Sequence, residues 1–151
     1  MCGIFGMVRH DAQPLNPAVL DRMAADLRHR GPDHTGTHVE SHAALGANRL
    51  AIIDLATGNQ PIYNEDGSLL IVFNGEIYNH SILRQRLERA GHVFRTRTDT
   101  EVILHAFEEF GARCLDHFNG MFAFAIWNLR TKSLFLARDR LGIKPLYWAH
   151  L

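Results

Sequence analysis

The chain begins with MCGIFGMVRH (residues 1–10), in which a cysteine directly follows the initiator methionine and an apolar, strand-like run continues to Val8. If the methionine is removed, Cys2 becomes the first residue and carries a free α-amino group beside its thiol. Such an amine titrates at about pH 8 and a thiol at about pH 8.5, so the amine can act as the general base for the thiol. Position alone equally allows Cys2 to be a small buried hydrophobic residue. Both interpretations stay open from this stretch.

The composition is typical of a single globular domain. The chain has 151 residues, of which 46% are apolar, and its 16 basic residues balance 16 acidic ones. No net charge therefore favours nucleic acid or a membrane surface. The N-terminal apolar run ends at Val8, too early for a signal peptide, and no stretch approaches the ~20 apolar residues that span a bilayer. We expect a cytoplasmic domain that binds neither nucleic acid nor membrane.

Hydrophobic periodicity predicts three helices and several strands. Helices are expected over about 17–28, about 81–90 and from a Thr98–Glu101 capping box onward. Strands are expected over 2–9, 37–41, 44–53, 68–73, 121–127, 133–139 and 142–148. Grouped strands beside grouped helices favour an α+β fold with antiparallel sheets. The apolar ending PLYWAHL predicts that the domain continues past Leu151.

The segment NGEIYN (residues 74–79) follows the most apolar strand and offers donors for an oxyanion. The side-chain amide of Asn74 and the backbone N–H of Gly75 could stabilise the tetrahedral intermediate of acyl transfer. The missing Cβ of Gly75 would let a substrate approach. The alternative is a plain Asn-Gly turn, although a helix rather than a partner strand is expected to follow.

Two charged residues stand in apolar surroundings and require partners. Arg49 would be costly to bury without an anion, which is either a substrate carboxylate or an internal aspartate. Asp99 lies in the first turn of the third helix, where it either interacts with the helix dipole or binds a substrate ammonium together with Glu76. A zwitterion whose side-chain amide reaches Cys2 would satisfy these groups, and glutamine is such a molecule.

Seven motifs, in this order, resemble the glutaminase domain of class II glutamine amidotransferases of the asparagine synthetase family. They are MCGIFG, RHRGPDHTG, RLAIID, NGEIYN, TDTEVI, GMFAFAIW and ARDRLGIKPLY, and the resemblance covers residues 1–151. One departure concerns Ala47, since members of the family often carry a histidine two positions before the strand arginine.

The resemblance implies a fold and a set of site residues. The fold is a four-layer αββα sandwich of the N-terminal nucleophile hydrolase type, here truncated at its C-terminal end. Cys2 is the implied nucleophile with its own amine as base, and Asn74 and Gly75 form the implied oxyanion hole. The implied glutamine-binding residues are Arg49, Leu50, Ala51, Ile52, Ile53, Asn74, Gly75, Glu76 and Asp99.

The resemblance also implies a reaction and its partners. Glutamine would form a thioester on Cys2, release ammonia and be hydrolysed to glutamate without a cofactor. Ammonia would pass to a C-terminal synthetase domain, absent from this sequence, in which ATP and Mg²⁺ activate aspartate for conversion to asparagine. A different amide acceptor and a non-catalytic fragment that keeps the fold are the alternatives, and the sequence leaves homodimerisation open.

The remaining cysteine and the ten histidines carry weaker signals. Cys114 follows the third predicted helix, and we expect a core thiol. His38 and His42 are four residues apart, but they lie in strand-like sequence, where that spacing does not converge on a metal ion. We therefore predict no metal site. Arg30 and Asn79 are expected to support the site through hydrogen bonds in turns.

Overall fold

The computed structural model describes residues 1–11 and 13–150. One antiparallel sheet has the order β1-β3-β2, with β1 (Gly3–Val8), β2 (His34–Val39) and β3 (Ala43–Arg49). The other has the order β4-β5-β6-β7, with β4 (Ile62–Tyr63), β5 (Leu69–Ile77), β6 (Gly120–Asn128) and β7 (Ser133–Arg138). The α-helices of the described residues are α1 (Pro17–Leu27), α2 (His80–Arg89) and α3 (Asp99–Phe110), and 3-10 turns cover Arg28–Arg30 and Gly111–His117.

These elements form four layers. Helix α1 packs on the outer face of the first sheet, where Leu20 contributes to a cluster with Phe5. The two sheets face each other across a second cluster, and α2 and α3 cover the far side of the second sheet through the largest one. The order helix, sheet, sheet, helix confirms the predicted four-layer αββα sandwich.

Side-chain alternation decides which residues lie between the sheets. Successive side chains of a strand point to opposite faces. The cluster between the sheets accordingly takes every second residue of each strand: Ile4 and Val8 from β1, Ala43, Leu45 and Ala47 from β3, and Leu70 and Val72 from β5. The residues between them face the helices, as Phe5, Ile71 and Phe73 do. This alternation also determines which polar residues lie on the face between the two sheets, beyond the apolar cluster.

The helix ends and the β6–β7 hairpin agree with the sequence. Asn16 caps α1 through its side chain, which accepts a hydrogen bond from Ala18, and Pro17 occupies the first turn. The hydroxyl of Thr98 accepts the N–H of Glu101 at the start of α3. Gly91 follows α2 with a φ of 105°, a conformation that glycine adopts readily. Strands β6 and β7 pair antiparallel, as predicted.

Three strand predictions were wrong. Strand β3 ends at Arg49 rather than at Ile53, because the backbone beyond it turns away and Ala51 donates its N–H to the Asp33 carboxylate at 2.8 Å. The segment 142–148 is not a strand. A turn forms there instead, with Gly142 at a φ of 66°.

The third error concerns the Asn-Gly dipeptide. Strand β5 continues through Asn74 and Gly75 to Ile77, and both residues pair with β6. The turn interpretation of this dipeptide is therefore wrong. Pairing with a long neighbouring strand overrides the local preference of Asn-Gly for a turn.

Within the residues described, no helix has the length and apolar content needed to cross a membrane.

Candidate active site

One end of the sandwich brings the predicted site residues together. Cys2 precedes β1 with the same parity as Ile4, so it continues the face that the first sheet turns toward the second. Gly3 pairs with Asn48, and this register, continued by one residue, places Cys2 opposite Arg49. Asn74 and Glu76 extend the corresponding face of β5.

A small cavity opens where these residues meet. Its volume is about 130 Å³, below the roughly 300–1,000 Å³ of sites for drug-sized ligands, so it suits a molecule of amino-acid size. It is lined by every predicted site residue except Ala51: Cys2, Arg49, Leu50, Ile52, Ile53, Asn74, Gly75, Glu76 and Asp99. The N–H of Ala51 is bonded to Asp33, so Ala51 holds the segment in place beside the cavity.

Cys2 is half-buried and is fixed on two sides. Its Sγ lies 3.8 Å from the carbonyl oxygen of Leu50, a distance that allows a weak S–H donor bond. Its own carbonyl oxygen accepts the Nε–H of Arg30 at 3.3 Å. Arg30 therefore supports the site by contacting the backbone of Cys2, in agreement with the sequence analysis.

The backbone N–H of Gly75 points away from β6. Phe122, the β6 partner of Gly75, donates its N–H to the Asp139 carboxylate at 3.1 Å, and its carbonyl accepts the N–H of Asp139 at 2.8 Å. Both backbone groups of Phe122 are thus directed away from β5. The Gly75–Phe122 pair is consequently a non-hydrogen-bonded pair of the antiparallel ladder, in which the N–H of Gly75 faces the other edge.

Neighbours along that edge show what the Gly75 N–H faces. Phe73 donates its N–H to Gln60 Oε1 at 2.6 Å and accepts from Gln60 Nε2 at 3.1 Å. Ile77 donates its N–H to Asp99 Oδ2 at 2.9 Å. Both Gln60 and Asp99 line the cavity, and the N–H of Gly75 lies between the two bonded positions. The N–H of Gly75 therefore faces this edge, where Gly75 itself lines the cavity.

The neighbouring strand also requires glycine at position 75. A Cβ at this position would overlap the carbonyl oxygen of Met121 and crowd the Cα of Phe122. Close approach of the β6 backbone therefore excludes a side chain here. Asn74 beside it is 5% exposed and lines the cavity.

Arg49 holds the loop that follows it. Its Nη1 donates to Asn59 Oδ1 at 2.9 Å, and its Nη2 donates to the carbonyls of Ile53 at 2.8 Å and Asp54 at 2.6 Å. Among the described residues no carboxylate lies within ion-pair distance, so the alternative of an internal salt bridge is wrong. These bonds use three of the five N–H donors of Arg49, which is 4% exposed. Its Nε–H and one Nη1–H stay available at the cavity.

Asp99 contributes a carboxylate to the lining of the cavity. It is 5% exposed, and burial raises its pKa above the ordinary value, although the N–H of Ile77 favours the ionised form. Glu76, which also lines the cavity, is exposed to solvent. The cavity is therefore lined by a guanidinium and by carboxylates.

Lys144 was missed by the sequence analysis. It is 5% exposed, lines the cavity and donates from Nζ to Met1 Sδ at 2.9 Å. The Asp139 carboxylate accepts the N–H groups of Ile143 and Lys144, which shapes the turn that delivers the lysine. Lys144 lies within the quoted motif ARDRLGIKPLY, but no spacing connects it to Cys2, so only the motif signals it. Other residues that line the cavity were not predicted either, among them Gly58, Gln60, Thr98, Thr100 and Met121.

The structure also shows the contacts of residues that the sequence marked less strongly. Asn79 donates to the carbonyl of His117 and accepts from the N–H of Asn119, so it braces the entry to β6. Cys114 is fully buried, and burial raises the pKa of its thiol to about 12, which confirms the core thiol. His38 hydrogen-bonds Tyr63 through Nδ1, whereas His42 bonds Ser41.

The sequence profile of the glutamine amidotransferase domain matches residues 1–151. The chain belongs to this family. Among the curated members, it is 46% identical over 149 residues to asparagine synthetase [glutamine-hydrolyzing] 2 of Arabidopsis thaliana and 43% identical over 152 residues to asparagine synthetase [glutamine-hydrolyzing] 3 of Bacillus subtilis (strain 168). These matches cover 97% and 98% of this chain but 25% of each relative. The chain thus spans about a quarter of the length of these relatives.

Solved structures agree on the fold of this amidotransferase domain. The allosteric regulatory enzyme of purine biosynthesis superposes with a TM-score of 0.77 at 22% identity, over 96% of this chain and 38% of that one. Glutamine phosphoribosylpyrophosphate amidotransferase of B. subtilis superposes with a TM-score of 0.57 at 24% identity, over 93% and 32%. The fold is therefore that of the N-terminal nucleophile amidotransferases, as predicted.

Proposed function

We propose that this amidotransferase domain hydrolyses L-glutamine to glutamate and ammonia through a thioester on Cys2. One observation carries the proposal: Cys2, the outward-facing N–H of Gly75, the guanidinium of Arg49 and the carboxylate of Asp99 all line one cavity of amino-acid size. A nucleophile, an oxyanion donor and two charges of opposite sign are the groups that a zwitterionic amide substrate requires.

The binding step uses the groups of opposite charge that line the cavity. The remaining N–H donors of Arg49 bind the glutamine carboxylate, and the Asp99 carboxylate, with Glu76 beside it, binds the ammonium. The segment 50–53, which Asp33 holds through Ala51, forms the wall next to Cys2. Glutamine carries both charged groups on its Cα, so charge-assisted bonds to them hold one end of the molecule and leave the side-chain amide to reach Cys2.

The chemical steps need no group from outside the chain except water. With Met1 removed, the α-amino group of Cys2 takes the thiol proton, and sulfur attacks the amide carbon. The N–H of Gly75 and the side-chain amide of Asn74 stabilise the resulting oxyanion. The ammonium of Cys2 then returns the proton to the leaving nitrogen, ammonia departs and a thioester stays on sulfur. Water, deprotonated by the same amine, cleaves the thioester to glutamate and restores the thiol.

The parent enzyme that we infer is a glutamine-hydrolysing asparagine synthetase of the cytoplasm. This inference rests on the names of the relatives and on the quarter of their length that the chain matches. In such a parent, ammonia passes to a synthetase domain that uses ATP and Mg²⁺ to convert aspartate to asparagine, whereas the glutaminase step itself uses no cofactor.

The test is ammonia release from glutamine by chain that begins at Cys2. A protease site placed before Cys2 yields this species, and intact mass verifies it. We expect glutamate and ammonia in equal amounts, loss of both in Cys2→Ala, and retention of both in Cys114→Ala. Unchanged release in Cys2→Ala would refute the mechanism, and no release from the verified chain would favour a non-catalytic domain that keeps the fold.

A further inference from the structure

A second group of titratable side chains lies outside the cavity. It consists of Glu65, His92, His105 and Glu108, and each contributes one oxygen or nitrogen such that these atoms all lie within 4.8 Å of one another. The four residues come from three separate segments: the β4–β5 connection, the α2–α3 connection and α3. None of them lines the candidate active site.

The distances between these atoms match a tetrahedral metal ion. His105 Nδ1 lies 2.7 Å from Glu108 Oε2 and 3.5 Å from Glu65 Oε2, while His92 Nδ1 lies 3.6 Å from Glu65 Oε1 and 3.8 Å from Glu108 Oε2. Tetrahedral bonds of about 2.0–2.1 Å place neighbouring ligand atoms roughly 3.3 Å apart. The four separations lie on both sides of this value, the shortest about 0.6 Å below it, so shifts of roughly half an ångström would bring these atoms to tetrahedral spacing.

Both imidazoles have a carboxylate near their far side. While each Nδ1 faces the common centre, His105 Nε2 lies 3.7 Å from Glu101 and His92 Nε2 lies 3.4 Å from Glu109. His105 is fully buried, and its Nε2 has no hydrogen-bond partner within normal distance. A carboxylate that accepts the second ring N–H fixes the tautomer of a metal-bound histidine and makes the other nitrogen a better ligand.

We propose that His92 Nδ1, His105 Nδ1, Glu65 and Glu108 bind one Zn²⁺ ion. Two neutral imidazoles and two carboxylates balance the charge of a divalent cation, and imidazole selects zinc over Mg²⁺ or Ca²⁺, which prefer oxygen ligands. The ion joins the β4–β5 connection, the α2–α3 connection and α3 to one another. Its role is structural, since the four ligands fill its tetrahedral coordination.

Without zinc, the same side chains form an ion-pair cluster. Burial by itself would lower the pKa of His105, but the nearby carboxylates of Glu101 and Glu108 outweigh it and raise the pKa to about 9. A proton on Nδ1 then occupies the place of the metal, with a bond of 2.7 Å to Glu108. The two states differ in a measurable way, because only one of them takes up zinc.

The test is a zinc titration of the chelator-treated chain with zinc sulfate, followed by calorimetry and by X-ray absorption of the bound ion. We expect one zinc per chain, nitrogen and oxygen scatterers without sulfur, and a higher melting temperature when zinc is added. The partly buried ligands His92 and Glu65 provide the variants. His92→Gln and Glu65→Gln should each weaken zinc binding at least tenfold and abolish the rise in melting temperature.

Two controls exclude other zinc ligands. His29→Gln removes an exposed histidine outside the cluster, and Cys2→Ala removes the thiol at the cavity; both should bind zinc like the parent chain. Absence of uptake, uptake that survives in Glu65→Gln and His92→Gln, or sulfur scattering lost in Cys2→Ala would each overturn the zinc site. None of these results depends on glutaminase activity, so the zinc site and the proposed function stand or fall separately.

Discussion

The carboxylate of Asp99 accepts the backbone N–H of Ile77 across 2.9 Å, and this bond joins the first turn of α3 to the last residue of β5. Asparagine could accept the same hydrogen bond without charge. The structure instead buries a carboxylate whose pKa is raised because desolvation disfavours its ionised form. A charge that is costly for the fold and lies at the cavity indicates a ligand of opposite charge.

We predict that Asp99→Asn separates glutamine binding from stability. The amide oxygen keeps the bond to Ile77, whereas the ionic contact to the glutamine ammonium is lost. Hydrogen bonds to charged groups contribute about 1.5–3 kcal/mol, so KM should rise roughly 10- to 100-fold. The free energy of unfolding at pH 7 should stay equal or increase. Steady-state kinetics and urea unfolding measure the two quantities, and an unchanged KM would contradict the role of Asp99.

The same carboxylate predicts a pH dependence. Because the folded-state pKa of Asp99 is raised, its protonation contributes stability below the unfolded-state pKa, and this contribution is lost as pH rises through the folded-state value. Glutamine binding has the opposite dependence, since it needs the ionised form. As pH falls, kcat/KM should first decline as the Cys2 amine is protonated, at about pH 8, and then decline further as Asp99 is protonated, above the usual titration range of aspartate at about pH 4.

The control for this pH profile is Asp99→Asn, in which the acidic limb due to residue 99 should be absent. The profile of kcat/KM against pH, measured for both proteins in the same buffers, gives the comparison. An acidic limb that is identical in the variant would assign the titration to another group.

Gln60 is predicted to act on catalysis through the backbone of β5. Its amide bonds both backbone groups of Phe73, two residues before Gly75, and so fixes the edge from which the Gly75 N–H points. Gln60→Ala removes both bonds, and we expect kcat to fall about tenfold, less than the loss of an oxyanion donor itself, which costs about 100- to 1,000-fold. KM should change little, since Arg49 and Asp99, which we assign to the charged groups of glutamine, are intact.

Asn59→Ala is the matched comparison for Gln60→Ala. Asn59 accepts from Nη1 of Arg49, so its removal loosens the group that we assign to the glutamine carboxylate. This variant should raise KM and leave kcat nearly unchanged, the reverse of Gln60→Ala. Melting temperatures of both variants show whether each is folded. Equal effects of the two substitutions on kcat and KM would argue against separate roles.

Local patterns predicted much of the architecture. Apolar runs placed β1, β3 and β5, and the caps at Asn16 and Thr98 marked two helix starts, because these signals depend on neighbours within a few residues. The continuation of β5 through Gly75 depends instead on β6, which begins 45 residues later in the chain at Gly120. No local signal carries that pairing.

The polar contacts of the site divide in the same way. The need of Arg49 for partners follows from burial, but its actual partners are two carbonyls and an amide in the loop that follows, which no charge pattern marks. The cluster of Glu65, His92, His105 and Glu108 was not predicted either. Its members are far apart in sequence and meet only when three segments pack together.

Selective labelling is predicted to distinguish the two cysteines. Cys2 is half-buried at the cavity, whereas Cys114 is fully buried, and burial raises the pKa of its thiol to about 12, so it holds almost no thiolate at neutral pH. A glutamine analogue with an electrophilic carbon at the amide position should therefore add once to the chain that begins at Cys2. Intact mass should show one adduct in Cys114→Ala and none in Cys2→Ala, and excess glutamine should slow the labelling. An adduct that persists in Cys2→Ala, or labelling that glutamine does not slow, would show that the reagent reacts outside the cavity, because only a nucleophile at the glutamine site is protected by the substrate.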